Sequence, residues 1–399
     1  MFLSKVLFLL FFLAGISSVY ASPFRGRITL GVAAKVKARG IINIAEADRA
    51  RAKALREGRL NKRDAIVGIT NSQAIYTAKV GVGSPPTEYT LLVDTGSSNT
   101  WVGANQPYVS TNTSHATGNT VSISYGSGSF HGNEYMDTIT FGNALTISQQ
   151  SIGIATQSDG LEGTGIDGIL GLGPKDLTQG TTSNTSLVPT VIDNLYAEGQ
   201  IKSAVLGVYF TPASASNVGE LTFGGYDPSV LTSAMKYASI TKTHPASTFW
   251  GIDQDVSYGG ATVLSGAGIV DTGTTLILIA TDAFQTYQAA TGGVLDKTTG
   301  LLSITQLQYD NLKTLSVRIG ESTYDLTPNA QIWPRSLNSA IGGRSDSIYL
   351  IVSDIGTPSG SGMDFVNGYT FLERFYSVYD TTDSLVGFAT TDYTASTGN

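Results

Sequence analysis

Two aspartates, 177 positions apart, stand in near-identical surroundings. Asp94 lies in Leu91-Leu92-Val93-Asp94-Thr95-Gly96-Ser97-Ser98, and Asp271 in Gly268-Ile269-Val270-Asp271-Thr272-Gly273-Thr274-Thr275. In each, an apolar strand-like run delivers a carboxylate into a tight glycine-containing turn whose hydroxyls can bond the loop. One copy alone reads as a solvated turn. Two copies behind the same strand read as an internal duplication. If the halves are related by a two-fold axis, the carboxyls meet across it. Two carboxyls at hydrogen-bonding distance cannot both ionise easily, so the pair holds one proton over a range of acidic pH. The ionised member can deprotonate a water while the protonated member polarises a carbonyl. That is hydrolysis without a metal, a thiol or a covalent intermediate.

The stretches that would carry these loops follow a recognisable order. They are Val80-Gly81-Val82-Gly83-Ser84-Pro85, Leu92 to Trp101, Tyr125-Gly126-Ser127-Gly128-Ser129, Asp167-Gly168-Ile169-Leu170-Gly171-Leu172-Gly173, Ile269 to Thr275, and Gly368 to Asp380. As a set they resemble the pepsin-family aspartic proteases, and within them the basidiomycete polyporopepsin type, over about residues 64 to 390. The resemblance implies an all-β, bilobal pepsin-like fold: two β-lobes related by pseudo-two-fold symmetry, a few short helices, a shared sheet and a substrate cleft between the lobes. It implies catalysis by Asp94 and Asp271. Thr95 and Thr272 would hydrogen-bond across the two-fold, Ser97 and Thr274 would bond the outer carboxylate oxygens, and Gly96 and Gly273 would let the backbone approach substrate.

Composition narrows the chemistry. The 399 residues contain no Cys, which excludes a thiol nucleophile, a Cys-ligated zinc and disulfides together. The three histidines, His115, His131 and His244, do not form a His-Glu-x-x-His pattern, and each reads as a surface or loop residue. No metal, nucleotide or organic cofactor is implied. The length favours two domains.

Residues 1–21 read as a secretory signal peptide: Lys5, a short apolar core from Val6 to Ala14, and Ala21 at the cut. No other stretch is long and apolar enough for a membrane helix. Residues 1–63 hold thirteen Lys and Arg against three Asp and Glu, a net +10, so the chain's −7 leaves −17 on the remainder. A basic stretch can bind nucleic acid. Here it follows a signal peptide and ends in the dibasic pair Lys62-Arg63, so residues 22–63 read as a basic pro-segment. Ala45 to Glu57 should be helical. The resemblance implies that Lys35 or Lys37 reaches the catalytic aspartates, making the pro-segment an intramolecular inhibitor that acid releases.

Residues 64–235 are expected to form the first lobe and 236–399 the second, with the crossover at Val230 to Ser239. Gln73–Val82 and Glu88–Val93 read as strands. Val121 to Ser129 reads as a hairpin with a glycine-weakened tip that closes over the cleft. By resemblance Tyr125 is the flap tyrosine and the Trp101 indole N–H bonds it. Gly126 and Ser127 complete the tip. Ser127 stands where some fungal relatives carry an Asp that accepts a basic side chain, so large apolar residues should flank the scissile bond. Val188, Val191, Ile192, Leu195 and Tyr196 mark a helix with a core face, and Thr281-Asp282 caps another. Phe249 to Ile252 reads as a strand. Phe365 to Asp380 repeats the supporting strand at Asp167 to Gly173, but Asn367 and Tyr369 replace the common aliphatic and Asp, which would alter a subsite without changing the fold. Asn112-Thr113-Ser114 and Asn184-Thr185-Ser186 are glycosylation sequons.

The expected function is a secreted, extracellular acid endopeptidase, monomeric, acting on polypeptide in extended conformation, with no nucleic-acid or membrane partner. The alternative is a catalytically silent pepsin-fold protein that binds polypeptide or inhibits other enzymes; such proteins usually lose an aspartate or the flap tyrosine, and this chain has all three. A glycan-binding β-protein would leave the paired loops unexplained.

Overall fold

The computed structural model describes residues 28–36, 43–58, 74–125, 128–142, 144–184, 187–212, 215 and 219–399. The signal-peptide reading, Lys37, the Lys62-Arg63 pair, Gly126 and Ser127 lie outside them. Ahead of the lobes come β1 (Ile28–Val36) and α1 (Ile44–Arg56). The first lobe follows with β2 (Ala74–Val82), β3 (Thr87–Asp94), β4 (Trp101–Val102), β5 (His115–Tyr125), β6 (Gly128–Phe141), β7 (Leu145–Asp159), β8 (Gly168–Gly171), α2 (Val191–Ala197), β9 (Val205–Tyr209) and β10 (Gly219–Phe223). Then come β11 (Lys236–Ser239), β12 (Gly251–Tyr258), β13 (Ala261–Val270), β14 (Ile277–Ile279), α3 (Thr281–Thr291), β15 (Val294–Leu295), β16 (Leu302–Ile304) and α4 (Gln306–Asp310). The chain ends through β17 (Leu315–Ile319), β18 (Ser322–Leu326), β19 (Ile348–Tyr349), β20 (Val352–Asp354), β21 (Phe365–Asn367), α5 (Tyr369–Leu372), β22 (Phe375–Asp380) and β23 (Leu385–Thr390).

Thirteen strands form one sheet in the order β11-β23-β22-β9-β10-β1-β2-β3-β8-β4-β7-β6-β5, and seven form a second in the order β18-β17-β12-β13-β21-β14-β20. Strands β11, β22 and β23 come late in the chain yet lie in the first sheet. They join the two halves, as a shared sheet should. The bilobal pepsin-like fold expected from the sequence is the fold observed.

The internal duplication appears as matching registers. β3 runs parallel to β8 with Val93 opposite Leu170, and β13 runs parallel to β21 with Val270 opposite Asn367. Each aspartate-bearing strand is buried on both faces by neighbours, which is why Leu91-Leu92-Val93 and Ile269-Val270 read as unbroken apolar runs and not as alternating ones.

Several local readings shift. In α2, Thr190 and Asp193 form a reciprocal capping box, but Tyr196 is half-exposed and not on the core face. The cap of α3 is Ala280, not Thr281-Asp282; Asp282 lies in the first turn and instead holds the Ser359 N–H at 2.9 Å. Gly292 closes that helix with φ 69°, where a side chain would be strained. Phe249 and Trp250 are buried but precede β12. Phe365 to Asp380 is divided into β21, α5 and β22; β21 pairs beneath the second loop, and Gly368, Tyr369 and Thr370 donate backbone N–H groups to it.

Candidate active site

The two aspartate turns close on each other. Thr95 N donates to Thr272 Oγ1 at 2.9 Å, and Thr272 N donates to Thr95 Oγ1 at 3.0 Å. Each hydroxyl in turn donates to the strand opposite: Thr272 Oγ1 to Val93 O at 2.9 Å, Thr95 Oγ1 to Val270 O at 3.2 Å. Four hydrogen bonds therefore tie the loops across the pseudo-two-fold. A Cβ at Gly96 would fall 2.5 Å from Asp271 Oδ1, and one at Gly273 would fall 2.5 Å from Asp94 Oδ1. Each glycine lies against the opposite aspartate, with no room for a side chain.

Both carboxyls are fully buried. Ser97 Oγ donates to Asp94 Oδ2 at 2.5 Å, and Thr274 Oγ1 to Asp271 Oδ2 at 2.6 Å. Gly96 N and Gly273 N donate at 3.0 Å to the Oδ1 of their respective aspartates. The symmetric hydrogen bonding does not give symmetric acidity. Burial pushes Asp94 above the usual carboxylate range, against the opposing pull of Arg51. For Asp271 burial also raises, but Arg51, by charge and by hydrogen bond, outweighs it and holds this carboxyl below its ordinary value.

Arg51 was not expected here. It projects from α1 between the aspartates: Nη2 lies 2.6 Å from Asp94 Oδ1 and 3.0 Å from Asp271 Oδ1, and Nε lies 2.7 Å from Asp271 Oδ2. Among the described residues the cation at the dyad is this arginine, where the resemblance implied Lys35 or Lys37. Lys35 sits in β1 opposite Ile75, and Lys37 lies outside the described residues. The planar fork of a guanidinium can grip two carboxylates at once, which an ammonium on a flexible stem does less well.

The helix reading of this segment holds: α1 spans Ile44–Arg56, with the Asn43 side chain accepting the Glu46 N–H at 2.9 Å as its cap. One turn before Arg51, the buried Asp48 accepts Leu276 N–H at 2.8 Å and Thr275 N–H at 3.1 Å, both on Oδ2. Burial raises Asp48 to about 7, against those two backbone bonds and the charge of Arg51. Arg49 donates to Asp354 O at 3.1 Å and Arg56 to Thr357 Oγ1 at 3.1 Å. The polar contacts of α1 thus fall mainly on the second lobe, while it packs on β5 of the first and β20 of the second.

Trp101 and Tyr125 meet as the resemblance implied. Trp101 Nε1 donates to Tyr125 Oη at 3.0 Å, and the indole stacks on Phe130 with centroids 4.4 Å apart. Burial, then the charge of Asp94, raises the Tyr125 hydroxyl above its usual range. Asn112 and Asn184 are both exposed, but Thr185 and Ser186 of the second sequon lie outside the described residues. Asn367, expected to alter a subsite, is instead fully buried beneath the second loop.

Comparison with known proteins agrees with this geometry. The family described as "Eukaryotic aspartyl protease" matches residues 75–391. The chain is 56% identical to polyporopepsin of Irpex lacteus over 339 residues, 84% of this chain and 99% of that protein. It is 30% identical to gastricsin of Suncus murinus (79% and 82% covered) and 30% identical to cathepsin E of Mus musculus (79% and 79% covered). Among solved structures, the crystal structure of the aspartic proteinase from Irpex lacteus superimposes with a TM-score of 0.79 at 57% identity, covering 82% of this chain and 96% of that one.

Proposed function

The chain belongs to the pepsin family of aspartic endopeptidases, and from that premise we propose that it is a secreted acid protease whose Asp94 and Asp271 activate water. The observation that carries this reading is the closed pair of loops, which places two buried carboxyls against each other's glycines with matched hydroxyl and amide donors. Without Arg51 the pair would lose its neutralising charge. One proton would then be shared, as in the established aspartic-protease dyad. The ionised carboxyl would take a proton from water as the water attacks the scissile carbonyl, and the neutral carboxyl would donate to the carbonyl oxygen. Trp101 would fix the Tyr125 hydroxyl at the flap base, and the hairpin would close over an extended peptide. Large apolar residues are expected on either side of the cut, with poor cleavage after Lys.

We read residues 22–63 as a pro-segment and α1 as its inhibitory element. A helix offers no extended backbone to the dyad, and Arg51 fills the place of the attacking water. Processing at Lys62-Arg63, secretion as a monomer and glycosylation at Asn112 and Asn184 belong to the same reading.

The test is digestion of unfolded casein across pH 2 to 7 by the processed enzyme, beside Asp94→Asn and a sample holding a statine-type inhibitor. Acid-limited cleavage, lost in the variant and with inhibitor, is the expected result. A folded processed enzyme that cuts nothing at any pH would favour the polypeptide-binding alternative.

A further inference from the structure

Beneath the two loops the pseudo-symmetry fails at one position. By register Leu170 stands opposite Val93, just before Asp94, and Asn367 stands opposite Val270, just before Asp271. Both side chains are fully buried. Leu170 is apolar, as its site demands. Asn367 carries an amide into the same environment, where a polar group left without a partner is costly. Its partner is Gln254 of β12: Asn367 Nδ2 donates to Gln254 Oε1 at 2.8 Å, and Gln254 Nε2 returns a longer contact of 3.5 Å. Gln254 is itself only 4% exposed, and β12 pairs with β13, the strand that ends at the second catalytic loop.

The pair is coupled to the loop through the backbone. Asn367 O accepts the Asp271 N–H at 3.1 Å. The next residue, Gly368, lies so close to the loop that a Cβ there would fall 2.7 Å from Thr274 O and 2.9 Å from Thr275 C. Gly368 N donates to Leu276 O at 3.1 Å and Tyr369 N to Thr274 O at 2.8 Å. Any rotation of the Asn367 peptide would therefore move the atoms that hold Asp271.

We propose that the Gln254–Asn367 amide pair is a positioning element for the second aspartate, locking the backbone from which Asp271 projects in a way that the first lobe achieves with apolar packing. It touches no substrate and acts through the loop. The inference rests on the reading of Asp271 as catalytic.

The test compares processed wild type with Asn367→Leu, Gln254→Met and the double variant, each titrated with a statine-type inhibitor so that kcat is counted per working site. Asp271→Asn serves as the control for the underlying reading. Each single variant strands one buried amide and should lower kcat roughly ten- to hundredfold, the scale of a small misplacement of a reacting group, with KM held within about twofold. The double variant leaves no amide unpaired and should regain most of the loss. Gln254→Met leaves β21 untouched and carries the test if Asn367→Leu does not fold. Single variants with wild-type kcat per site, whatever their melting temperature, would overturn the proposal, as would a double variant no better than the worse single. An active Asp271→Asn would instead overturn the catalytic reading itself.

Discussion

Arg51 Nη2 lies 2.6 Å from Asp94 Oδ1, in a place with almost no solvent access for either side chain. A buried ion pair of this kind gains little net stability over apolar packing, but breaking it by removing one partner costs about 3–5 kcal/mol. Arg51→Ala should therefore weaken the seating of α1 by roughly two to four powers of ten. In a chain made unprocessable by Lys62→Ala and Arg63→Ala, the dyad should become open to a statine-type inhibitor at pH 5, where the Arg51 parent excludes it. Arg51→Lys should fall between, since an ammonium cannot reproduce the fork across both aspartates.

Acid acts on this seating with two opposite signs. Seated Asp271 is held below its ordinary value by Arg51, so the grip it supplies is present above the ordinary carboxylate range and lost as pH falls through the lowered value. Asp94 is raised by burial against the pull of Arg51, so it is the first of the two to protonate as pH falls. Asp48 runs the other way. Its value when seated is about 7 against an ordinary 3.8, so its contribution is full below 3.8 and lost as pH rises through about 7. The geometry allows the neutral form: Oδ2 takes the Leu276 and Thr275 N–H groups at 2.8 and 3.1 Å, which leaves Oδ1, at 3.3 Å from Thr275 N, to carry the proton. The charges around it are Arg51 and Asp271, and the Tyr369 hydroxyl is the other titratable neighbour.

Asp48→Asn should accordingly hold α1 at pH 7 at least as firmly as the parent, because an amide oxygen can accept both bonds without ionising. The tightening of the parent between pH 7 and 4 should vanish in the variant, while release at lower pH should remain. Inhibitor access to the unprocessable chain, followed from pH 7 to 2.5, reads both. A variant that loosens at pH 7 would show that the ionised form is the one that holds.

Both sets of contacts were only partly legible in the sequence. The Asp94 and Asp271 loops could be read because strand, carboxylate, glycine and hydroxyls are all local and all repeated. The lobes followed from them. Arg51 could not be read the same way, since its partners are 43 and 220 residues away. A local signal did exist. In α1 the buried stripe runs through Ile44, Asp48, Arg51 and Leu55, so two charges occupy positions that an amphipathic helix fills with apolar side chains. A helix that buries opposite charges one turn apart must meet complementary groups on its docking surface. Those groups are the dyad for Arg51 and two free loop amides for Asp48. The Gln254–Asn367 pair left a fainter trace, a single polar residue in an apolar strand whose partner is 113 positions away.

The cross-loop threonines should matter more to rigidity than to chemistry. Thr272→Ala removes a hydroxyl that accepts from Thr95 N at 2.9 Å and donates to Val93 O at 2.9 Å, both in a dry interface. The loss should be about 1–3 kcal/mol for each group left unpaired. Thr272→Ser keeps both bonds and should recover most of it. Thermal unfolding of the processed enzyme checks the first effect, and kcat per titrated site checks whether loop spacing has also changed.

Trp101 separates the flap from the core beneath it. Its ring stacks on Phe130 at an interplanar angle of 10°, and its N–H alone reaches Tyr125 Oη. Trp101→Phe keeps aromatic packing but withdraws the donor, at a stability cost of about 0.5–1.5 kcal/mol. Tyr125 then loses its indole donor and retains a side-chain hydrogen bond with Ser97, so the closed flap is held less firmly. If flap closure organises the substrate, kcat/KM should fall about tenfold, the equivalent of about 1.4 kcal/mol of transition-state stabilisation. Tyr125→Phe removes the other half of the same bond, so the double variant should be little worse than either single one. Additive losses would mean that the two side chains serve the reaction separately and that the bond between them is incidental. The measurement is a double-mutant cycle on kcat/KM at acid pH, using a peptide with large apolar residues on both sides of the cut.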